Sequence, residues 1–431
     1  MMRFYLRQKE DPHGPSVALF VGSLPGGLSQ VQYEKILMDI LKSNELRWNR
    51  FDVIYYEYGS MVVLYDDGPK AVKAYKILKD STYENKQLTV LLLPTIQPQM
   101  IPSNVVPLLV FVNVKSGGQQ GAVLITSFRH LLNPHQVFDL QNCGPLPGLY
   151  VFRNIETYRI LACGGDGTIG WVLSCLDNVS QDAKCQSPPM AIVPLGTGND
   201  LARVLRWGTG YTGAEEPINL LLDVIDAEEI SLDRWTVVFH SEENKELDDA
   251  KRQISIAVNV SQANTNEDNT EIYVMNNYFG IGIEADVCLD FHTAREENPN
   301  KFNSRLHNKK FYLQMGIRKM MSKSSCRDFR NTVTLEVDGR KIDLPQIEGI
   351  IILNILSWGS GANPWGPERD DNFQKATHYD GMLEVVGIKG VVHMGQIQSG
   401  LSGAIRLAQG GRVSFSLLNN HHAYIIGKHF I

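Results

Sequence analysis

Tyr158-Arg159-Ile160-Leu161-Ala162-Cys163-Gly164-Gly165-Asp166-Gly167-Thr168 decides how this chain is read. It starts as an apolar strand, breaks at a glycine pair, and passes into a segment where Ile169, Trp171, Leu173, Leu176 and Val179 fall at roughly helical spacing. A strand, a glycine turn and a helix start make a place for phosphate. Glycine lets backbone N–H groups approach phosphate oxygens with no Cβ in the way, and the helix N-terminus favours negative charge. Asp166 stands in that anion-attracting turn, and two chemistries would account for it: holding Mg²⁺, or taking a proton from an attacking hydroxyl.

About thirty residues on, the arrangement recurs. Met190 to Leu195 reads as a strand, Gly196-Thr197-Gly198-Asn199-Asp200 as the turn, and Leu201, Val204 and Leu205 as one face of the next helix. For Asn199 or Asp200 the ordinary alternative is a helix N-cap. One glycine turn serves loop geometry in many α/β proteins, but two at consecutive strand ends point to a ligand, because open α/β sheets bind at the carboxyl ends of their strands. A third turn runs from Asn113 through Lys115, Ser116, Gly117 and Gly118 to Gly121. It lacks Gly-Lys-Ser/Thr and so is not a Walker motif.

Around these turns the chain divides into three parts. Residues 105–228 alternate strands and helices, beginning with the continuous apolar run Leu108 to Val112 expected of a strand buried on both faces. Residues 229–431 read as mostly β, with candidates at Trp235 to Phe239, Val333 to Val337, Ile350 to Ile355 and Leu383 to Val386, and a long polar surface loop at His240 to Thr270. Residues 1–100 read as a ferredoxin-like βαββαβ unit: strand Ala18 to Val21, helix Val31 to Leu41, strands Phe51 to Glu57 and Met61 to Tyr65 around a Tyr58-Gly59-Ser60 turn, a helix opened by Pro69, and strand Leu88 to Leu93. Four prolines between Pro94 and Pro107 mark the linker. Leu19 to Leu24 is similar to the first strand of an RNA-recognition motif. The partner strand, Gly59 to Leu64, lacks the aromatics on which bases stack, so the unit is read as a protein-interaction or scaffold domain and nucleic acid is not an expected partner.

Composition narrows the field further. Apolar residues make up 43% and charged residues 20%, which suits a folded globular chain and excludes a disordered or fibrous one. A net charge of −6 is too acidic for a general nucleic-acid binder, so any anion must be met by a local patch. The six cysteines include no Cys-x-x-Cys pair, which suggests reduced thiols rather than zinc or a disulfide framework. The first residues have no signal-peptide pattern and no apolar run approaches the length of a bilayer crossing. The expected location is cytoplasmic, with any membrane contact peripheral.

The two glycine turns together resemble the superfamily of diacylglycerol, sphingosine and NAD kinases. The second half selects among them. Trp207-Gly-Thr-Gly-Tyr-Thr-Gly, Asn277-Tyr-Phe-Gly-Ile-Gly-Ile, Phe291-His-Thr-Ala-Arg-Glu-Glu-Asn-Pro, Lys301-Phe-Asn-Ser-Arg, Trp358-Gly-Ser-Gly and Asp380-Gly-Met-Leu-Glu-Val-Val-Gly look like a eukaryotic diacylglycerol kinase. The N-terminal domain is similar to the Ras-associating-type region of the theta class, without that class's cysteine-rich modules. The resemblance implies a two-domain lipid kinase core with an α/β ATP-binding domain and a mostly β accessory domain. It implies ATP- and Mg²⁺-dependent phosphorylation of the free hydroxyl of diacylglycerol to phosphatidic acid at a membrane surface, and a protein partner, a small GTPase or another, for the N-terminal domain. Gly164, Gly165, Gly167, Thr168, Gly196, Thr197, Gly198, Asn199 and Asp200 would then line the nucleotide site, with Asn113, Ser116 and Gly117 nearby. Asp166 would be metal ligand or base, and Asp380 a second acid facing the metal, unless Asp380-Gly381 is simply a turn.

Between Lys301 and Arg330 nine Lys/Arg stand against one acid, Asp328, interleaved with Phe302, Phe311, Tyr312 and Met315. Such a stretch reads either as contact with anionic lipid, or as a solvated basic face or an interdomain contact. Three places depart from the family pattern: Val114 for a proline, Arg206 for a glycine, and the residues after Gln409, which lack the family's Asp-Gly-Glu-Pro-Trp segment and its candidate base. From that last departure a truncated or divergent accessory domain with unpaired strand edges is expected. Three functions stay open: a lipid kinase, a weak or inactive variant acting as a binding protein, and a soluble-substrate kinase of the same superfamily.

Overall fold

The computed structural model describes residues 16–117, 120–142, 144–179, 183–241, 256–258, 264–265, 270–298, 311, 328–367, 372–417 and 421–430. Contacts gather the chain into two compact units, Met1–Val114 with Ala122–Ala162 and Val172–Met190, and Lys115–Gly121 with Cys163–Trp171 and Ala191–Ile431.

The first unit opens with the expected βαββαβ order: β1 (Val17–Gly22), α1 (Gln30–Leu41), β2 (Arg50–Tyr55), β3 (Ser60–Tyr65), α2 (Gly68–Lys79), the small hairpin β4 (Thr82–Tyr83) and β5 (Lys86–Gln87), and β6 (Thr89–Leu93). Its sheet runs β2-β3-β1-β6, antiparallel throughout. α1 begins where Ser29 and Gln32 cap each other, and α2 where Asp67 accepts from the Lys70 N–H ahead of Pro69, so the free N–H groups of both helix starts find partners. Leu19, Val21, Met61, Val63 and Tyr65 face Tyr33 and Leu37 of α1 and Ala71, Ala74 and Leu78 of α2, which is the alternation a half-covered sheet requires. β2 stops at Tyr55, short of the expected Glu57, because Tyr56–Tyr58 tightens into a 3₁₀ turn. Gly59 closes it at φ +53°, where an added Cβ would collide with the Leu24 carbonyl oxygen.

The chain continues through β7 (Leu108–Val112), α3 (Gln120–Leu131), β8 (Val137–Asp139), α4 (Leu146–Phe152), β9 (Arg159–Gly164), α5 (Asp166–Val179) and β10 (Met190–Pro194). The sheet order is β10-β9-β7-β8, with β7 and β8 parallel. β7, β9 and β10 are buried along nearly their whole length, which is why they read as unbroken apolar runs.

After α6 (Asp200–Val204) and α7 (Pro217–Asp226) the second unit turns to β structure: β11 (Asp233–Ser241), β12 (Ile256–Val258), β13 (Asn264–Thr265), β14 (Thr270–Met275), β15 (Tyr278–Gly282), α8 (Ile283–Glu297), β16 (Val333–Val337), β17 (Arg340–Ile342), β18 (Gly349–Leu353), β19 (Leu383–Ile388), β20 (Ile405–Gly410), β21 (Val413–Leu417) and β22 (His421–Phe430). They form a seven-stranded sheet, β13-β14-β11-β22-β21-β16-β17, and a five-stranded sheet, β12-β15-β18-β19-β20. Trp235, Val237, Leu335 and Phe415 of the first share one core with Phe279, Ile350, Ile352 and Val385 of the second. The alternate residues Ile351, Leu353, Val386 and Ile388 pack on the other side with Ile283, Trp358 and Trp365. The five-stranded sheet is thus buried on both faces.

Two expectations are corrected here. The polar stretch from His240 to Thr270 is not one loop: Ile256-Ala257-Val258 and Asn264-Thr265 each add a strand to a sheet. The residues after Gln409 do not leave edges open, because β22 lies between β11 and β21 and pairs with both. Most of Lys301 to Arg330 lies outside the described residues.

Candidate functional site

Two glycine turns meet backbone to backbone. A Cβ on Gly165 would lie 2.9 Å from the Cα of Gly196, and one on Gly196 would lie 2.5 Å from the Cα of Gly165. Gly164 is equally constrained, since its Cβ would enter the side chain of Thr168. Gly167, in the first turn of α5, differs: a Cβ there would meet nothing within 4 Å. Packing explains the first three glycines, and open space beside a helix start explains the fourth. That space, next to the positive end of a 14-residue helix, fits a phosphate group.

Asp166 ties the two turns together. Its Oδ1 accepts from the Leu201 N–H at 2.9 Å and from Asn277 Nδ2 at 3.0 Å, and its Oδ2 accepts from the Asp200 N–H at 3.1 Å. The carboxylate therefore caps α6, the role that Asn199 or Asp200 would have played in the ordinary reading. Asn199 does occupy the N-cap position, at φ +54°, but its side chain makes no capping bond. Its Nδ2 donates instead to the carbonyls of Gly196 at 2.9 Å and Thr209 at 3.0 Å, and its Oδ1 is buried without a partner. A buried orphan acceptor of this kind is costly and marks a place that a ligand or water completes.

Asp200 is 2% exposed and accepts from Ser357 Oγ at 2.6 Å, the Ser360 N–H at 3.1 Å and the Gly361 N–H at 3.0 Å. Burial, and then the negative charge of Asp166, push its carboxyl above the ordinary range, while these three donors pull the other way. Gly198 separates the two acids. A Cβ on it would stand 3.1 Å from Asp200 Oδ2 and 3.4 Å from Asp166 Oδ2, so both carboxylates converge on that glycine.

The sequence reading did not assign roles to Asn277, Ser357, Ser360 and Gly361. The signal was present in the Trp358-Gly-Ser-Gly motif: Gly359, Ser360 and Gly361 all have positive φ, which lets successive N–H groups wrap one carboxylate. Glu284 supports this loop, since its buried Oε1 accepts from Trp358 Nε1 at 3.4 Å and from Cys288 Sγ at 3.1 Å. Burial pushes the Glu284 carboxyl up. Gly280 beneath it has no room for a Cβ, which would overlap Glu284 Oε2.

The remaining expected residues divide. Gly117, at φ +69°, comes to the second turn: a Cβ on it would lie 3.3 Å from the Leu195 carbonyl oxygen. Ser116 adjoins it, while the Asn113 side chain belongs to the first unit and accepts from Gln141 Nε2 at 3.3 Å. Asp380 is exposed and spends its oxygens on its own turn, accepting from the Thr377 N–H and the Met382 N–H, each at 2.9 Å. Among the described residues no hydrogen bond or ion pair joins it to the glycine turns.

As for a metal, no group of three or more His, Cys, Asp and Glu among the described residues is placed to hold one. The donor set suits Mg²⁺ brought in by a nucleotide, which takes one or two carboxylates and completes its shell with phosphate and water. Asp166 Oδ2, with a single N–H donor, has a lone pair left for it. Beside Asp200 a cleft of about 390 Å³ is lined by Arg203, Arg206, Thr209, Ser357 and Gly361. Arg203 is fixed there by its Nε, which donates to the Gly198 carbonyl at 3.0 Å.

Residues 107–230 match the model of the diacylglycerol kinase catalytic domain, residues 274–427 that of the diacylglycerol kinase accessory domain, and residues 14–94 that of the diacylglycerol kinase theta, RNA-binding domain-like, family. The chain is 44% identical to diacylglycerol kinase theta of Homo sapiens over 429 residues, and 42% identical to that of Mus musculus, in each case over 100% of this chain and 44% of the relative. It is 42% identical to the eye-specific diacylglycerol kinase of Drosophila melanogaster over 70% of this chain and 20% of that one. The chain thus spans less than half the length of these relatives.

Proposed function

Because the chain belongs to the diacylglycerol kinase family, we propose that it transfers the terminal phosphate of ATP to the free hydroxyl of diacylglycerol, giving phosphatidic acid. The observation that carries this reading is the backbone contact of Gly165 with Gly196, which brings the carboxylates of Asp166 and Asp200 together over Gly198. Phosphoryl transfer asks a protein to position two reactants and to stabilise spreading negative charge, and little else.

In this reading the phosphates lie against Gly167 and the N-terminus of α5. Asp166 holds α6 in place through both oxygens and would hold the nucleotide's Mg²⁺ through the free lone pair of Oδ2. When bound, that ion neutralises phosphate charge. The diacylglycerol oxygen forms the new O–P bond, the bond to the leaving ADP oxygen breaks, and the hydroxyl proton passes to a carboxylate or to water. Arg203 and Arg206 are among the residues that line the neighbouring cleft, where positive charge favours a phosphate product. Asp380, expected as a second acid, is assigned to its own turn. Asp380→Asn should leave nucleotide affinity unchanged, and a loss there would bring it back into the site.

Diacylglycerol lies in a bilayer, and no helix among the described residues is long and apolar enough to cross one. In this reading the chain meets that lipid at the membrane surface. The test is transfer of labelled phosphate from Mg²⁺-ATP to diacylglycerol in mixed micelles. Asp166→Ala should lower the rate by about 10²- to 10⁴-fold, the usual cost of losing such a group. A folded, ATP-binding chain with no transfer would instead be a binding protein of this family.

A further inference from the structure

In the N-terminal domain the sheet face turned away from α1 and α2 is the face that related folds offer to single-stranded RNA. Here that face is closed. Ala18, Phe20, Val62, Leu64 and Leu93 are all buried, Phe20 to 1% exposure. The polar contacts at its margin go to the kinase portion of the same compact unit. Asp52 Oδ2 accepts from Tyr150 OH and from Arg153 Nη2, both at 2.6 Å, and the Arg153 guanidinium stacks 3.6 Å from the centre of the Tyr150 ring. Tyr58 OH accepts from Asn178 Nδ2 at 2.9 Å. α4, which carries Tyr150, is buried at every one of its positions.

Asp52 reaches this contact because of a backbone irregularity. Phe51 pairs with Val63 and Val53 with Val62, which leaves Asp52 as the bulged residue between them. A bulge re-aims a side chain at a cost to the ladder, and here the re-aimed group is a carboxylate held by a phenol and a guanidinium. Asn178, the partner of Tyr58, lies on α5, the helix whose first turn is Asp166-Gly167-Thr168.

We propose that the N-terminal domain is a brace for the kinase lobe, with Asp52 and Tyr58 as positioning residues that fix α4 and α5 and, along α5, the Gly164–Thr168 turn. The proposal rests on the reading of that turn as a nucleotide site. Its sheet face is occupied from within, so a protein partner of this domain must use the helical side.

The experiment is hydrogen exchange on the full chain carrying Asp52→Ala or Tyr58→Phe, with Asp52→Glu as the conservative variant and ATP affinity measured in parallel. Exchange at 163–171 should become about tenfold faster while 30–41 and 333–342 stay protected, ATP should bind several-fold more weakly, and Asp52→Glu should restore both. Tyr58→Phe supplies the answer if Asp52→Ala does not fold. Unchanged exchange at 163–171 in the folded variants overturns the brace, and so does binding of a single-stranded oligoribonucleotide that Phe20→Ala abolishes. A parent chain that binds no ATP would sink the nucleotide reading instead, and the exchange result would still stand by itself.

Discussion

A Cβ on Gly196 has nowhere to go, since it would stand 2.5 Å from the Cα of Gly165, while a Cβ on Gly167 points into open space. The two glycines should therefore fail differently. Gly196→Ala should lower the melting temperature of the unliganded chain and weaken ATP binding, whereas Gly167→Ala should leave the unliganded melting temperature nearly unchanged and weaken ATP binding alone. Thermal shift with and without Mg²⁺-ATP separates the two, and equal unliganded melting temperatures would mean the turns do not touch. Glu384 makes a second residue-scale case. It is fully buried, its Oε1 accepts from Gln409 Nε2 at 3.0 Å, its Oε2 has no partner, and burial pushes its carboxyl up to about 8. Between the ordinary 4.5 and about 8 the folded chain binds a proton that the unfolded chain releases. Its contribution to stability is therefore intact below 4.5 and falls as pH rises to about 8. Urea midpoints across that range should decline more steeply for the parent than for Glu384→Gln, and parallel curves would show that Glu384 is not buried neutral.

Elements whose evidence was local could be read from sequence. β7, β9 and β10 are apolar runs because both faces are covered, and each glycine turn follows its own strand directly. What the sequence concealed depends on distant partners. Asp166 meets Asn277, and Asp200 meets Ser357, across more than a hundred residues. The two glycine turns were legible as turns at strand ends, but the loop that holds Asp200 was visible only as a motif without a role. β22 was hidden for the same reason. His421-His-Ala-Tyr-Ile-Ile-Gly-Lys-His-Phe430 has no clean alternation, and its place between β11 and β21 is set by non-local pairing. A central strand cannot spare a backbone donor, so Ile425→Pro, at a position paired with Val237 on one side and Val413 on the other, should be destabilising. Leaving one buried carbonyl unpaired costs roughly 1–3 kcal/mol. Denaturant melts that matched those of the parent chain would place β22 outside the sheet.

At the scale of the whole molecule, the proposed reaction requires a chain of net charge −6 to approach a surface that is itself negative. Overall electrostatics oppose that approach, so a local basic stretch has to overcome them within a Debye length, about 10 Å at 0.1 M salt. The nine Lys/Arg between Lys301 and Arg330 are the densest such stretch in the sequence, with Phe302, Phe311 and Tyr312 among them to enter the interface. Each basic residue near anionic lipid contributes about 1 kcal/mol, so Lys309→Glu, Lys310→Glu and Lys319→Glu together should weaken binding to phosphatidylserine-containing vesicles by roughly a hundredfold or more. Binding of the parent should also fall steeply between 0.1 and 1 M salt, where the Debye length shrinks to about 3 Å. Transfer from ATP to a short-chain diacylglycerol in solution should be unaffected by the same substitutions, because they act on the encounter with the surface. Vesicle binding that survives charge reversal would assign the stretch to a solvated face or an interdomain contact, and the proposed encounter with a lipid surface would have to begin elsewhere on the chain.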